Sequence, residues 1–521
     1  MSHESQEAAI SLSFWPRMVV FIGLSLATFM VVLDYSIANV SLPYIAGDLA
    51  ISAEQGTYVI TSFAVGNAIG LAMTGWLAKR IGQIRLILLS TLLFIIMSWV
   101  CGISMNIEIL VIARFIQGFV SGPMIPMSQS LIVMTSTPKA RTNAVAIWAT
   151  IVVVAPIVGP IAGGYISDWY HWPWIFYINI PIGIIALLLM LTYLRGKGNP
   201  PAKAPTDVLG LIFLVLGVTS LQVLLDKGQQ WDWINSPIIV TLGIITIISF
   251  TLLIIWELFH LTPFLELRLF KFRTFTTGIV AIAFSYAIYF GSVVLVPLWL
   301  QVNVGYTATW AGLAVAPLGL APMFLASCNP WIIRRIGTVS TLLFAFIIFC
   351  LACFYNAYFT PQVDFFHIGL SRFFFGIGMA FYITPLMLLF VQEIPHEQLA
   401  SATGIFHFIR AMVGGIGTSL FTTLWERRTI FHHERIGDAI TPFSLQTQHV
   451  LTTLQRYNLS TEKGLASLNS ELNNQAALMA LNDAFFLMAW IFIGLIVFLL
   501  FSSRKSRPAK TPTIETTIGG H

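Results

Sequence analysis

Apolar runs of about 20 residues, each bounded by polar or basic positions, recur along the whole chain. Fourteen of them stand out, at approximately 18–39, 56–78, 86–105, 109–131, 143–166, 173–194, 207–225, 236–258, 276–299, 309–331, 338–358, 367–391, 403–424 and 481–503. A helix rises about 1.5 Å per residue, so each run is long enough to cross a hydrocarbon layer of about 30 Å. The pattern predicts an all-α polytopic membrane protein of fourteen spans. The weakest division is the ninth from the tenth: residues 276–331 carry no charge, and only Gln301, Asn303 and Gly305 break them. Two polar stretches interrupt the pattern. Residues 195–206, R-G-K-G-N-P-P-A-K-A-P-T, read as a linker; residues 425–480 carry mixed charge with periodic apolar positions and read as a partly helical excursion.

The basic residues fix an orientation. With the N-terminus in the cytoplasm, the loops on that side hold Lys79, Arg80, Arg85, Lys139, Arg141, Arg195, Lys197, Lys203, Arg268, Lys271, Arg273, Arg334 and Arg335. The tail adds Arg504, Lys505, Arg507 and Lys510, whereas the short loops opposite hold only Lys227. That asymmetry follows the positive-inside rule and puts both termini in the cytoplasm.

Composition agrees: of 521 residues, 57% are hydrophobic and 9% charged, against about 25% charged in soluble domains. The net charge of +5 is therefore a topology signal and not a nucleic-acid surface. The start, M-S-H-E-S-Q-E, is not the basic start of a signal peptide, so the first run is read as a retained helix. Cys101, Cys328, Cys350 and Cys353 all fall in apolar runs and read as small buried hydrophobes. No G-x-x-x-x-G-K-[ST] or H-E-x-x-H occurs, and no soluble domain could house an enzyme. His432-His433-Glu434 is a weak metal candidate, and no metal site is expected.

The chain repeats itself. L-A-K-R-I-G at 77–82 matches I-I-R-R-I-G at 332–337, and R-F-I-Q-G at 114–118 matches R-F-F-F-G at 372–376, at shifts of 255 and 258. Two matches at nearly one offset imply homologous halves. The expected division is 1–194 (six helices), 195–275 (linker and two inserted helices), 276–503 (six helices with the 425–480 loop) and 504–521 (a cytoplasmic tail).

Asp34 is the only charge between Met18 and Gly47. An intramembrane carboxylate is costly and marks a functional position or a satisfied acceptor. One that alternates between an aqueous cleft and a buried state changes its proton affinity, the minimum apparatus for proton coupling. Arg114 lies several residues inside the fourth run and needs a partner or snorkels to the interface. A-P-I-V-G-P-I-A-G-G, 155–164, combines helix-bending prolines with a smooth glycine face. Tyr35, Asn39, Phe63, Asn67, Gln129, Trp148, Tyr286, Tyr289, Phe406, His407 and Arg410 are candidate walls of a substrate cavity, each also readable as an interhelical contact.

Several stretches resemble the major facilitator superfamily. G-W-L-A-K-R-I-G-Q-I-R, 75–85, is similar to its helix 2–3 signature, with Lys79 where an Asp is usual. R-F-I-Q-G-F-V-S-G resembles its helix 4 signature, and the 155–164 motif that of its antiporters. L-D-Y-S-I-A-N-V-S-L-P (33–43) and H-W-P-W-I-F-Y-I-N-I-P-I-G (171–183) look like the fourteen-helix drug/proton antiporter branch. G-T-Y-V-I-T-S-F-A-V-G-N-A (56–68) and I-P-M-S-Q-S-L (125–131) resemble the inner-membrane pumps of tripartite multidrug exporters. The resemblance implies two six-helix bundles plus two inserted helices, and proton-driven export of hydrophobic or amphipathic compounds across a bacterial inner membrane. It implies no cofactor beyond the proton gradient, and a periplasmic adaptor and an outer-membrane channel as partners. Asp34 would carry the proton with Arg114 tuning it. Gly75, Lys79, Arg80, Gly82 and Arg85 would gate the cytoplasmic face, and Ala155, Pro156, Gly159, Pro160, Gly163 and Gly164 would form the seam on which the halves rock. An exporter of one metabolite, such as a siderophore, is the alternative; a non-transporting sensor or lipid-modifying protein is a further one.

Overall fold

The computed structural model describes residues 13–503 apart from 197–206, 229–230, 261–264, 395–398, 439, 442–443 and 457–460, and its regular structure is helical throughout. Most of the 195–206 linker and the tail with Arg504, Lys505, Arg507 and Lys510 thus lie outside the described residues, as do the side chains of Lys79, Lys139, Arg141, Pro156 and Pro160.

Fourteen long helical segments follow the apolar pattern among the described residues. They are α1 (Phe14–Asp48), α2 (Tyr58–Ala72, continuing as Thr74–Ile81), α3 (Gln83–Gly102), α4 (Ile107–Ser121, then Met124–Thr135), α5 (Pro138–Trp169) and α6 (Trp174–Leu194). The inserted pair is α7 (Val208–Lys227) and α8 (Pro237–Phe259). The second half is α9 (Arg273–Val302), α10 (Ala308–Val315, then Pro317–Leu325), α11 (Thr338–Ala357), α12 (Phe365–Ala380, then Ile383–Val391), α13 (Leu399–Gly437) and α14 (Thr461–Ser503). Gly305, at φ +79°, turns the chain between α9 and α10 where the sequence breaks. "Near" below denotes the face where α1 begins, "far" the face where it ends.

Within the first half, α1 packs on α5 and α6, and α2 on α4; within the second, α9 packs on α13, α10 on α12, and α11 on α14. The halves meet mainly along two pairs, α2 with α13 and α5 with α10, with lesser contacts of α1 to α9 and α10. The inserted α7 packs on α8 and lies against α2 and α13, and its Leu214 and Val218 join the apolar core of the second half.

The repeat is visible in three dimensions. Gly82 and Gly337 each terminate a short helix, Thr74–Ile81 and Asn329–Ile336, at φ +92° and +87°. Only glycine adopts that conformation without strain. Gly118 on α4 leaves 2.1 Å between an added Cβ and the Phe63 carbonyl, and its repeat mate Gly376 leaves 2.2 Å to that of Leu318. Gly159 and Gly417 make the matching close approaches of α5 to Ser36 on α1 and of α13 to Ala287 on α9.

Two expectations change. Cys101, Cys350 and Cys353 are buried, but Cys328 is exposed, because it ends the short turn after α10 at the helix-bundle surface. The 425–480 excursion is mostly helix: α13 and α14, 39 and 43 residues long, run on past the apolar spans, and Leu445–Arg456 packs against α14. Asp483 on α14 staples this hairpin, accepting hydrogen bonds from Arg428 at 2.6 Å and pairing with His432 at 2.7 Å. His433 instead faces Asn469 at 3.2 Å, so the three residues 432–434 do not converge on one point.

Candidate functional site

Asp34 and Arg114 meet. The Arg114 Nη1 donates to Asp34 Oδ2 at 2.5 Å, with 1% of the Arg114 side chain and 0% of the Asp34 side chain exposed. The other carboxylate oxygen accepts from Asn179 Nδ2 at 2.7 Å and from Gln117 Nε2 at 3.4 Å. Arg114 has further acceptors, Gln117 Oε1 at 2.7 Å and the Val59 carbonyl at 3.2 Å. Its guanidinium lies 4.2 Å from the centre of the Phe63 ring and 5.3 Å from that of Phe176. Ser98 completes the shell, accepting from Gln117 at 2.7 Å. The carboxylate is thus ringed by donors suited to its charged form, and the aromatic rings close over the arginine. Both side chains are buried, so the pair is closed off from the surface in this structure.

The second half lacks this pair. At the 258 shift, Asp34 corresponds to Ser292, Ser98 to Asn356 and Gln117 to Phe375. Arg372, 1% exposed, hydrogen-bonds Asn356 Oδ1 at 2.8 Å, and its Nη1 has no partner. Among the described residues, a fully buried Asp–Arg couple is found in the first half only; the Asp483–Arg428 pair of the second half is partly exposed.

The α5 motif lies against this site. Gly159 and Gly163 contact Ser36 and Ile37, directly after Asp34 and Tyr35, and Ala155 is fully buried. Gly164 is buried beside them. At its far end α5 joins the halves: Asp168 accepts from the Tyr44 hydroxyl of α1, from the Thr309 hydroxyl and, at 3.0 Å, from the Thr309 backbone N–H at the start of α10.

The cavity candidates separate into two groups. Tyr35 touches Phe63 (5.8 Å between ring centres) and, across the halves, Phe290 (5.3 Å). Phe290 contacts Tyr286 at 4.9 Å and Tyr289 at 5.5 Å, and the Arg410 guanidinium sits 5.2 Å from the Tyr286 ring centre. His407, one turn before Arg410, is buried with both ring nitrogens lacking a partner. The remaining candidates lie elsewhere. Phe406 stacks on Phe390 at 4.4 Å, Trp148 donates to Thr28 at 3.1 Å, and Asn67 ties α2 to α4 through Ser121 at 2.8 Å. Gln129 is half-buried on α4, and the Asn39 Oδ1 is buried without a partner. At the near face, Gly75 has open space beside it, Arg80 lies over Trp76 at 5.1 Å, and Arg85 is exposed.

Gln117 and Asn179 stood inside the quoted motifs but carried no charge to single them out. Asp168, Tyr44 and Thr309 had no sequence signal beyond their place at helix ends.

Comparison with known proteins places these features. The family model described as Major Facilitator Superfamily matches residues 24–418. The chain is 42% identical over 479 residues to the Escherichia coli K12 protein named Multidrug export protein EmrB, covering 92% of this chain and 94% of that protein. It is 41% identical over 482 residues to the Fatty acid resistance protein FarB of Neisseria gonorrhoeae, covering 92% and 94%. Among solved structures, a peptide transporter POT in complex with sulfate superposes with a TM-score of 0.63 at 14% identity, covering 96% of this chain and 99% of that one.

Proposed function

This chain belongs to the Major Facilitator Superfamily, and from that premise we propose that it is the pump of a multidrug exporter, driven by protons moving inward as hydrophobic or amphipathic compounds move outward. It is a multi-pass membrane transporter rather than an enzyme. In this reading it sits in a bacterial inner membrane with both termini in the cytoplasm, so the near face is cytoplasmic. A periplasmic adaptor and an outer-membrane channel complete the path, and the α13–α14 hairpin is the surface that faces them.

The buried Asp34–Arg114 couple carries the coupling part of the reading. A proton arriving at Asp34 removes the charge that Arg114 neutralises. The arginine keeps Gln117, Val59 and the two rings, so it is not stranded when the carboxylate leaves. α1 is then freed from α4. The contacts of Gly159 and Gly163 with Ser36 and Ile37 pass its movement to α5, whose far end holds the other half through Asp168. A narrower cargo is the second reading, favoured by the relative named for fatty acid resistance.

The test is energised dye efflux from cells lacking their own pumps but supplied with the adaptor and channel. Wild type and Asp34→Asn are compared at equal membrane levels, with and without a protonophore. Efflux by wild type, its arrest by the protonophore and the inactivity of Asp34→Asn support the reading. Normal efflux by Asp34→Asn overturns the proton role, and a wild type that moves one compound of a broad panel favours the narrow cargo.

A further inference from the structure

Among the described residues, Arg410 makes no ion pair. Arg410 is half-buried on α13, with its guanidinium over the Tyr286 ring and near enough to His407, Tyr289 and Tyr382 to act on them electrostatically. The fully buried ion pair among the described residues, Asp34–Arg114, does not reach it. One helical turn away, on the same face, His407 is 3% exposed and neither ring nitrogen is hydrogen-bonded. Two polar groups therefore stand at one place in the membrane with donor capacity unused. Around them lies an aromatic wall from both halves: Tyr286, Tyr289 and Phe290 of α9, with Tyr35 of α1 in contact across the seam.

We propose that Arg410 is the head-group site of the exporter and that it selects anionic amphipaths, such as alkyl carboxylates, over cationic ones. A guanidinium stacked on a tyrosine keeps its N–H edge free, and that edge matches a carboxylate with two parallel hydrogen bonds. His407 supplies a further polar contact beside it, and the aromatic wall takes the alkyl body. The same guanidinium repels a lipophilic cation, so the preference is built from attraction and from exclusion together. Asp34 is already saturated by Arg114, Asn179 and Gln117, so it does not neutralise the head-group site in this state.

This inference rests on the exporter reading and is tested apart from it. Purified full-length protein is titrated with sodium laurate, dodecanol and dodecyltrimethylammonium, following intrinsic tryptophan fluorescence. Wild type is expected to bind laurate at least tenfold more tightly than the ammonium compound. Arg410→Gln is expected to lower the laurate affinity at least tenfold more than the dodecanol affinity. Arg410→Lys, which keeps the charge but loses the fork, falls between the two, and Arg410→Glu reverses the preference toward the cation. A laurate-to-dodecanol ratio that stays at the wild-type value in both Arg410→Gln and Arg410→Glu overturns the proposal, as does a wild type that favours the ammonium compound. Thermal melting of each variant identifies any that are misfolded, and the ratio is then read from the others. The exporter reading fails separately, if wild type shows no energised flux of any compound while the binding ratios remain as expected.

Discussion

At the scale of single residues, the Asp34–Arg114 couple makes opposite demands on stability and on transport. Removing one member of a buried pair leaves the other charge uncompensated, at about 3–5 kcal/mol. Arg114→Gln is expected to lose stability by about that amount, because Asp34 keeps only amide donors. Asp34→Asn combined with Arg114→Gln removes both charges and should recover most of the melting temperature while staying inactive. Melting curves and efflux on the same samples separate the two effects. A second case lies at the start of α12, where Asp364 accepts from the His367 backbone N–H at 2.9 Å. That bond, with the His367 ring, holds the Asp364 carboxyl below its ordinary value. A depressed folded-state pKa gives stability that is present above the usual carboxylate range and lost as pH falls through the lowered value. Asp364→Ala should therefore melt earlier than wild type at neutral pH and converge with it in acid. Asp34 and Arg114 were legible in the sequence because a charge in an apolar run is rare. Gln117 and Asn179 were not, because an amide declares itself only through what it reaches.

Helices were the most legible level. All fourteen apolar runs became helices, since in lipid the backbone has no other partner than itself. The misjudged lengths are those of α13 and α14, whose polar ends keep a helical backbone in water, where hydropathy gives no span signal. Their packing rests on glycines that only spacing hinted at. An added Cβ at Gly118 would sit 2.1 Å from the Phe63 carbonyl, and at Gly417 2.2 Å from the Ala287 carbonyl. Backbone cannot yield as a side-chain tip does, so Gly118→Val and Gly417→Val are expected to separate α2 from α4 and α9 from α13. Loss of folded protein at the membrane, with Gly75→Ala as the tolerated control in open space, is the measurement. Two short motifs signal the repeat in the sequence, and the third pair, Gly159 with Gly417, appears only when the helices are seen in contact.

Across the whole molecule, the halves are joined at the far face by Asp168, whose partners Tyr44 and Thr309 lie 124 and 141 positions away in sequence. No local pattern encodes such a distance, which is why the sequence reading missed it. Because Asp168 accepts the Thr309 N–H at the start of α10, that face cannot open without breaking the bond. Asp168→Cys with Thr309→Cys, in a Cys328→Ser background that removes the exposed native thiol, is expected to cross-link under oxidation. Efflux should stop with the cross-link and return on reduction. Efflux that persists in fully cross-linked protein would show that this face does not open during transport.

The continuous backbone of α13 gives the molecule a lever. From Arg410 to Gly437 the helix spans about 40 Å at 1.5 Å per residue, without a break. The far part is braced to α14 by Asp483, Arg428 and His432, which stiffens it along its length. A tilt of about 5° at the membrane end carries the tip sideways by about 3–4 Å over that length. A change of angle too small to alter the shape of the bundle is thereby magnified into a displacement of several ångströms at the far end.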